Sequence, residues 1–462
     1  MRASHLFILL SCLALFVCCK QHGKVTAPQV DQDNSQALMA SMEDRIGFPD
    51  FGFMVQPDDT IPISRVFKLS DDFPRKEPVI DEGVKNILAI DFKSDWRAYM
   101  DEVKKYVFEG NASEDYENSF YLEDNKVRPW YHVPWQHWGP NGREGYHGLT
   151  QEGPVDDKML APTQISETHA YAVGFYNDLG GYAIGKVWNK PEPNYSFFEF
   201  DGFPEGTVVA KVLFVPLEAD EVPYLKNPVS WDAYIYASDI PGNNSTSKNR
   251  ITSKVNLIQM DIMVKDKRAI DTGGWVFGTF AYNGNLENDN RWDNLTPVGI
   301  MWGNDPDHNK TSYNPTPTKT IINPDLKQTI INDNPEELPP MHLGFASRLN
   351  GPVDNAYSSC MSCHSTAQYP VVSAIMPFLN NQKVAIPEAG TNASAQWMRW
   401  FRNVPCETPF DPKKATSFDY SLQLVKSIQN YIDYASQAEK GHYSEEYWSK
   451  GHKIRRSSIV SD

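Results

Sequence analysis

The middle of the chain alternates apolar and polar residues with the period of a β-strand. In residues 206–214, "GTVVAKVLF", every second side chain falls on the same face, as in a pleated strand. Residues 256–266 repeat the pattern, with one face formed by Ile258, Met260, Ile262 and Val264 and the other by Gln259, Asp261 and Lys265. Residues 273–284 predict a third strand, and residues 230–237 and 297–303 predict partners. Because these strands follow one another without helical patterns between them, we expect an antiparallel sheet.

A helical period replaces this alternation near the end of the chain. Residues 419–437 place Leu422, Val425, Ile428 and Ile432 on one stripe, which predicts an amphipathic helix. The chain therefore indicates an α+β fold. The predicted organisation is a signal peptide over 1–19, an irregular, aromatic- and loop-rich region over 20–160, an antiparallel β-rich domain over 161–302, a Pro- and Asn-rich connector over 303–340 and a smaller helical domain over 341–462.

Composition narrows the class of partner. Hydrophobic residues make up 40% and aromatic residues 12% of the 462 residues, which is enough to build a packed core. Lys and Arg number 43 against 59 Asp and Glu, a formal net charge of −16. Such a surface repels phosphate backbones, so we do not expect a nucleic-acid partner. It suits docking to a basic protein.

The first 19 residues have the pattern of an export signal. Arg2 gives a positive start, and residues 6–19, "LFILLSCLALFVCC", form an apolar stretch that is too short to span a bilayer. Cys19 ends this stretch and is a candidate for lipid attachment, as in bacterial lipoproteins; simple cleavage and release is the alternative. We expect the folded protein outside a bacterial cytoplasm, in the periplasm or at the cell surface, with a lipid anchor favoured.

A five-residue motif carries the candidate chemistry. Residues 360–364, "CMSCH", match the C-x-x-C-H attachment site of haem c, in which two thiols bond the porphyrin edge and the histidine binds the iron. Cys360 and Cys363 would form the thioethers, and His364 would be the proximal ligand. From the composition, the motif arises by chance roughly twice in a thousand such chains. One motif predicts one covalent haem c.

Two other uses of paired cysteines fit less well. A zinc site needs four ligands, and the chain has no second C-x-x-C pair. A redox-active disulfide requires a βαβ setting and leaves His364 without a role.

The distal side of the iron is open to two interpretations. A methionine ligand makes an electron carrier, whereas an empty position admits a small molecule. Met376, in "AIMPF", is followed by proline and lies 12 residues after His364. Met398 lies 34 residues after His364, between two tryptophans, a setting more typical of core packing. We favour Met376 narrowly over no methionine ligand.

The motif and its surroundings resemble two families. Residues 345–435 resemble the haem-binding segment of monohaem bacterial cytochromes c, a resemblance carried by Cys360, Cys363 and His364. It implies a helical cytochrome c-like haem-binding segment within 341–462. The order of strands before the motif, over about 165–370, looks like the cytochrome c-prime-beta group and the related hydroxylamine-oxidising cytochromes. That resemblance implies a sheet that cups the haem and an open distal face. In the hydroxylamine-oxidising cytochromes it also implies a lysine cross-link, for which Lys211 is the candidate, although a solvated strand lysine is the favoured interpretation of Lys211.

Three functions follow as expectations, and in the third the sheet binds a ligand or partner protein while the haem serves as sensor or relay. The first is one-electron transfer through the covalent haem, with a redox partner protein that is basic or membrane-bound. The alternative is a haem c enzyme or small-ligand binder with an open iron, acting on nitrogen oxides, hydroxylamine or peroxide. The sequence favours the carrier and leaves open whether the protein is an enzyme.

Overall fold

An antiparallel sheet of eight strands organises the computed structural model. The structure describes residues 73–112, 120, 125–136, 144, 147–189, 192–243, 250–309, 317–326, 343–355, 357–371, 392–413 and 415–439. The strands are β1 (Thr150–Val155), β2 (Thr168–Tyr176), β3 (Val208–Val215), β4 (Ser230–Tyr236), β5 (Arg250–Lys265), β6 (Trp275–Tyr282), β7 (Leu295–Met301) and β8 (Thr320–Ile322). They pair in the order β1-β2-β3-β5-β6-β7-β8, and β4 pairs with the first half of β5.

Six α-helices and a small second sheet complete the described residues. The helices are α1 (Glu82–Ala89), α2 (Trp96–Phe108), α3 (Asp178–Val187), α4 (Cys360–His364), α5 (Asn392–Met398) and α6 (Leu422–Glu439). The second sheet pairs β9 (Gln368–Tyr369) with β10 (Thr416–Ser417). Short 3₁₀ turns span Ser196–Glu199, Ala237–Asp239, Lys267–Thr272, Gly284–Leu286, Arg291–Asn294, Phe345–Ser347 and Arg399–Phe401. The α+β class, the antiparallel sheet and the helix predicted at 419–437 are confirmed.

The alternation along β5 decides which side chains meet which helices. Met260 and Ile262 belong to the cluster that contains Met100 and Val103 of α2, and we call this side the α2 face. Met263 belongs to the cluster that contains Met361 of α4, and we call this side the α4 face. Both faces are covered, which explains why most strand positions are buried on either side.

The second cluster joins parts of the chain that the sequence assigns to separate domains. Met263 and Phe277 of the sheet pack with Met361 of α4 and with Leu424 and Ile428 of α6. The described residues all fall within one compact unit. The apolar stripe of α6 has no core of its own to fill, so it covers the sheet.

Two segments contain structure that the sequence patterns do not predict. α1 and α2 lie in the region 20–160 that we expected to be irregular, and their first turns are capped by Asp81 and Asp95. β8 lies in the region 303–340 that we expected to be a connector, and it pairs with β7. Among the described residues, no helix combines the length and the apolar character needed to cross a bilayer. The predicted signal peptide and Cys19 lie outside the described residues.

Candidate functional site

The short helix α4 presents the two cysteines and the histidine together. Ser359 is its N-cap, and its hydroxyl accepts from the main-chain N–H of Ser362 at 3.1 Å. The Ser362 hydroxyl accepts from the N–H of Ser359 at 2.7 Å, which completes a capping box. Cys360 therefore starts the helix, and Cys363 follows three residues later. Residues three and four apart share a helix face, so both thiols and His364 lie on neighbouring positions.

The segment before α4 is tied to the sheet by Gln259 of β5. The side-chain carbonyl of Gln259 accepts from the N–H of Val353 at 3.0 Å, and its amide donates to Asp354 at 3.1 Å. A Cβ at Gly351 would overlap the Gln259 side chain, so glycine permits this close approach. The main-chain N–H of Cys360 donates to Leu349 at 3.2 Å. The sheet thus fixes where α4 begins.

A buried arginine braces the same segment from the other side. Arg348 is 0% exposed, and its guanidinium donates to the main-chain carbonyls of Asn304 at 2.7 Å, Asp305 at 2.8 Å and Phe345 at 3.0 Å. Its guanidinium carbon lies 4.5 Å from the centre of the Phe401 ring. Burial lowers the pKa of Arg348 to about 10, so it remains charged at neutral pH.

The two thiols are held in their protonated form. Burial raises the pKa of Cys363 to about 12, and burial together with the charges of Asp354 and Asp261 raises the pKa of Cys360. Both are free cysteines with partly accessible side chains. Cys360 packs against the cluster that contains Met263 of the sheet and Met361 of α4. Cys363 packs against the aromatic cluster of Phe345, Trp397 and Phe401. The thiolate is the reactive form of cysteine, so thiols with raised pKa values are mostly in the less reactive, protonated form at neutral pH.

The imidazole of His364 is fixed in one tautomer. Its Nδ1 lies 2.8 Å from the main-chain carbonyl oxygen of Tyr420. A carbonyl oxygen only accepts, so Nδ1 carries the proton and donates. Burial lowers the pKa of His364 to about 4, which keeps the ring neutral and leaves Nε2 as the nitrogen able to bind a metal. The Phe277 ring, on the α4 face of the sheet, lies 5.2 Å from the imidazole.

A row of polar side chains crosses the α4 face of the sheet. Lys211 of β3 lies opposite Asp261 of β5, which lies opposite Thr279 of β6, and we call these three the polar row. Lys211 pairs with Glu152 of β1 at 3.0 Å. Burial lowers the pKa of Lys211, but Glu152 outweighs it and the net shift is upward. The charge of Lys211 acts on His364, and that of Asp261 acts on Cys360, so the row lies within electrostatic range of α4.

The donor set consists of two thiols and one imidazole, the residue types from which a haem c site is built. Within the described residues, no group of three or more His, Cys, Asp or Glu side chains could hold a metal. A porphyrin brings four nitrogens and asks of the protein one axial base and, in haem c, two thiols. Cys360, Cys363 and His364, whose Nδ1 is hydrogen-bonded to Tyr420, are side chains of those types on one short helix.

The other predicted ligands are placed differently. Met376 lies outside the described residues. Met398, at the end of α5, packs with Cys363 on the cluster of Phe345, Trp397 and Phe401. Sequence reasoning missed Tyr420, which contributes a main-chain carbonyl and leaves no side-chain signal. It also missed the roles of Gln259 and Asp354, which depend on strand register and on a loop 95 residues away.

No protein-family model, curated protein or solved structure matches this chain.

Proposed function

We propose that this protein binds one haem c covalently through Cys360 and Cys363, with His364 as the proximal ligand of the iron. The observation that carries this is the hydrogen bond from Nδ1 of His364 to the Tyr420 carbonyl, on a helix that also presents both thiols. Proximal histidines of metal sites use this arrangement, in which one ring nitrogen is anchored and the other is free to bind.

We propose one-electron transfer as the primary activity. Haem c supplies an iron that alternates between the ferric and ferrous states. The protein's own contribution is to hold His364 neutral and oriented and to place α4 between the sheet and the aromatic cluster. Both surfaces leave Cys360, Cys363 and His364 only partly accessible to water. A negative surface suits a basic or membrane-bound redox partner, and we place the protein outside the cytoplasm, anchored through Cys19.

Expression in a bacterial host competent in haem c maturation tests the attachment. The purified full chain should be coloured, should retain its haem through acid–acetone extraction and should gain the mass of one haem. A Cys406→Ala variant is the matched control, because Cys406 is buried outside α4 and should leave attachment unchanged. Colourless protein with both Cys360 and Cys363 open to alkylation would reject the proposal.

The polar row supports a second candidate, an open iron site that binds or transforms a small molecule. Electron carriers need no acid or base near the haem, whereas Lys211 and Asp261 lie on the face that α4 covers. Such groups can stabilise an anionic ligand or transfer a proton to it.

Optical spectra separate the two candidates. A methionine-to-iron charge-transfer band in the oxidised protein, abolished by Met376→Ala, supports the carrier with Met376 as the distal ligand. A high-spin spectrum that changes on addition of nitric oxide or cyanide supports the open site. A methionine band that persists in Met376→Ala rejects Met376.

A further inference from the structure

A buried ion pair lies directly beside the residue that anchors His364. Nζ of Lys265 lies 2.7 Å from both carboxylate oxygens of Asp419. The same carboxylate accepts from Nε1 of Trp275 at 2.8 Å and from the N–H of Phe203 at 2.8 Å. Asp419 is 1% exposed and Lys265 is 7% exposed. Three donors, in four hydrogen bonds, therefore hold a carboxylate one residue before Tyr420.

The main chain at this point adopts a conformation that it does not favour by itself. Asp419 has φ of 45° and Tyr420 has φ of 67°, both in the left-handed region that non-glycine residues rarely enter. Two such residues in succession persist only where the surroundings hold them. The Tyr420 hydroxyl donates to the carbonyl of Val404 at 2.7 Å, which fixes the other end of that residue. This turn aims the Tyr420 carbonyl at His364.

Two glycines make room for the ion pair and the turn. A Cβ at Gly202 would lie 2.6 Å from Oδ2 of Asp419. A Cβ at Gly273, whose φ is 139°, would overlap the Tyr420 hydroxyl. The close approach of Asp419 and Tyr420 to their neighbours thus depends on glycine at both positions.

We propose that Lys265 and Asp419 are positioning residues for the iron ligand. Their ion pair holds the turn at Tyr420, and the Tyr420 carbonyl in turn sets the tautomer and orientation of His364. The expected effect on the reduction potential rests on the proposed haem function, whereas the positioning of His364 by the ion pair does not. A proximal histidine whose Nδ1–H is hydrogen-bonded is a stronger base toward iron, which favours the ferric state. Loosening the turn should therefore shift the reduction potential to more positive values.

A pair of charge-neutral double variants tests this. Lys265→Met with Asp419→Asn removes the ion pair and leaves the net charge unchanged. Arg268→Met with Asp266→Asn is the matched control, because it also removes an ion pair with a buried carboxylate: Asp266 is 0% exposed. The Asp266 carboxylate accepts from the hydroxyl of Tyr99 in α2, whereas the Asp419 carboxylate lies in the Tyr420 turn. The potential is measured on the haem-loaded full chain. The Nδ1 proton of His364 is followed by ¹⁵N NMR in the full chain carrying Cys360→Ala and Cys363→Ala, from which any haem has been removed, with His364→Gln to assign the signal.

The inference requires a mixture of His364 tautomers and a more positive potential in the first double variant, with neither change in the control. Unchanged signals in both variants, or equal changes in both, overturn it. Trp275→Phe removes one hydrogen bond to Asp419 without altering charge, and it is judged by the same criteria if the double variant does not fold. A chain that takes up no haem rejects the proposed function, while the NMR comparison still decides the positioning role.

Discussion

Asp261 and Asp354 both accept from one and the same group, the side-chain amide of Gln259. Its nitrogen lies 2.8 Å from both carboxylate oxygens of Asp261 and 3.1 Å from Oδ2 of Asp354. Because the two carboxylates lie close together around one amide, their negative charges repel each other, and ionisation of both at once is disfavoured. Burial, followed by the charge of Asp354, raises the pKa of Asp261 to about 7.

We expect Asp261 to make the stability of the protein dependent on pH. The pKa of this carboxyl is higher in the folded state than its ordinary value of 3.8. The folded state therefore binds the proton more tightly, and the resulting stabilisation is complete below about pH 4 and is lost as the pH rises through about 7. Asp261→Asn mimics the protonated form, so the variant should gain roughly 3 kcal/mol relative to the natural protein between pH 4 and pH 8.

Urea denaturation at a series of pH values measures this gain. Asp232→Asn, at an exposed position of β4 in the same sheet, is the control and should follow the natural protein at every pH. If the free energy of unfolding changes with pH in the same way in Asp261→Asn and in the natural protein, the raised pKa of Asp261 is contradicted.

Removing the attachment thiols should affect haem retention in a graded manner. Cys360→Ala or Cys363→Ala leaves one thioether, so each single variant should keep its haem under denaturing extraction but with an altered haemochrome spectrum. The double variant should release all of its haem into acid–acetone. Complete loss in either single variant would show that both bonds must form together.

Arg348→Met should destabilise the segment that leads into α4. The change removes the guanidinium donors to several buried main-chain carbonyls, among them those of Asn304 and Phe345. We expect a loss of about 3–5 kcal/mol in the free energy of unfolding, measured by chemical denaturation. Arg399→Met is the control, because the Arg399 side chain is 47% exposed and should cost less than about 0.5 kcal/mol. A small effect at Arg348 contradicts the bracing role.

If the iron has an open distal position, Lys211 should strengthen the binding of anions. Lys211→Met removes a positive charge from the polar row, so cyanide affinity of the ferric protein should fall roughly tenfold, or about 1.4 kcal/mol. Lys254→Met changes an exposed lysine on β5 and should leave the affinity unchanged. Equal cyanide affinities in the two variants would show that Lys211 does not act on the ligand at the iron. If the natural protein binds no cyanide, the open site is rejected.

The sheet was predictable because its signal is local. Alternation along 206–214 and 256–266 gives both the strands and the face on which Asp261 and Lys265 lie, and β3 and β5 confirm it. α1 and α2 went unpredicted because their apolar positions are interleaved with charges and follow a loop-rich stretch. β8 went unpredicted because a three-residue strand carries too little pattern, and only its pairing with β7 defines it.

The candidate site divides in the same way. The thiols and His364 are adjacent in sequence, since attachment to one porphyrin edge requires fixed spacing, so the chain alone determines that motif. The partner of His364 is a main-chain carbonyl 56 residues away, and every residue type carries such a group. The ion pair of Lys265 and Asp419 joins positions 154 residues apart. Contacts of this kind are made when α6 and its preceding turn pack onto the sheet, and only the tertiary structure decides them.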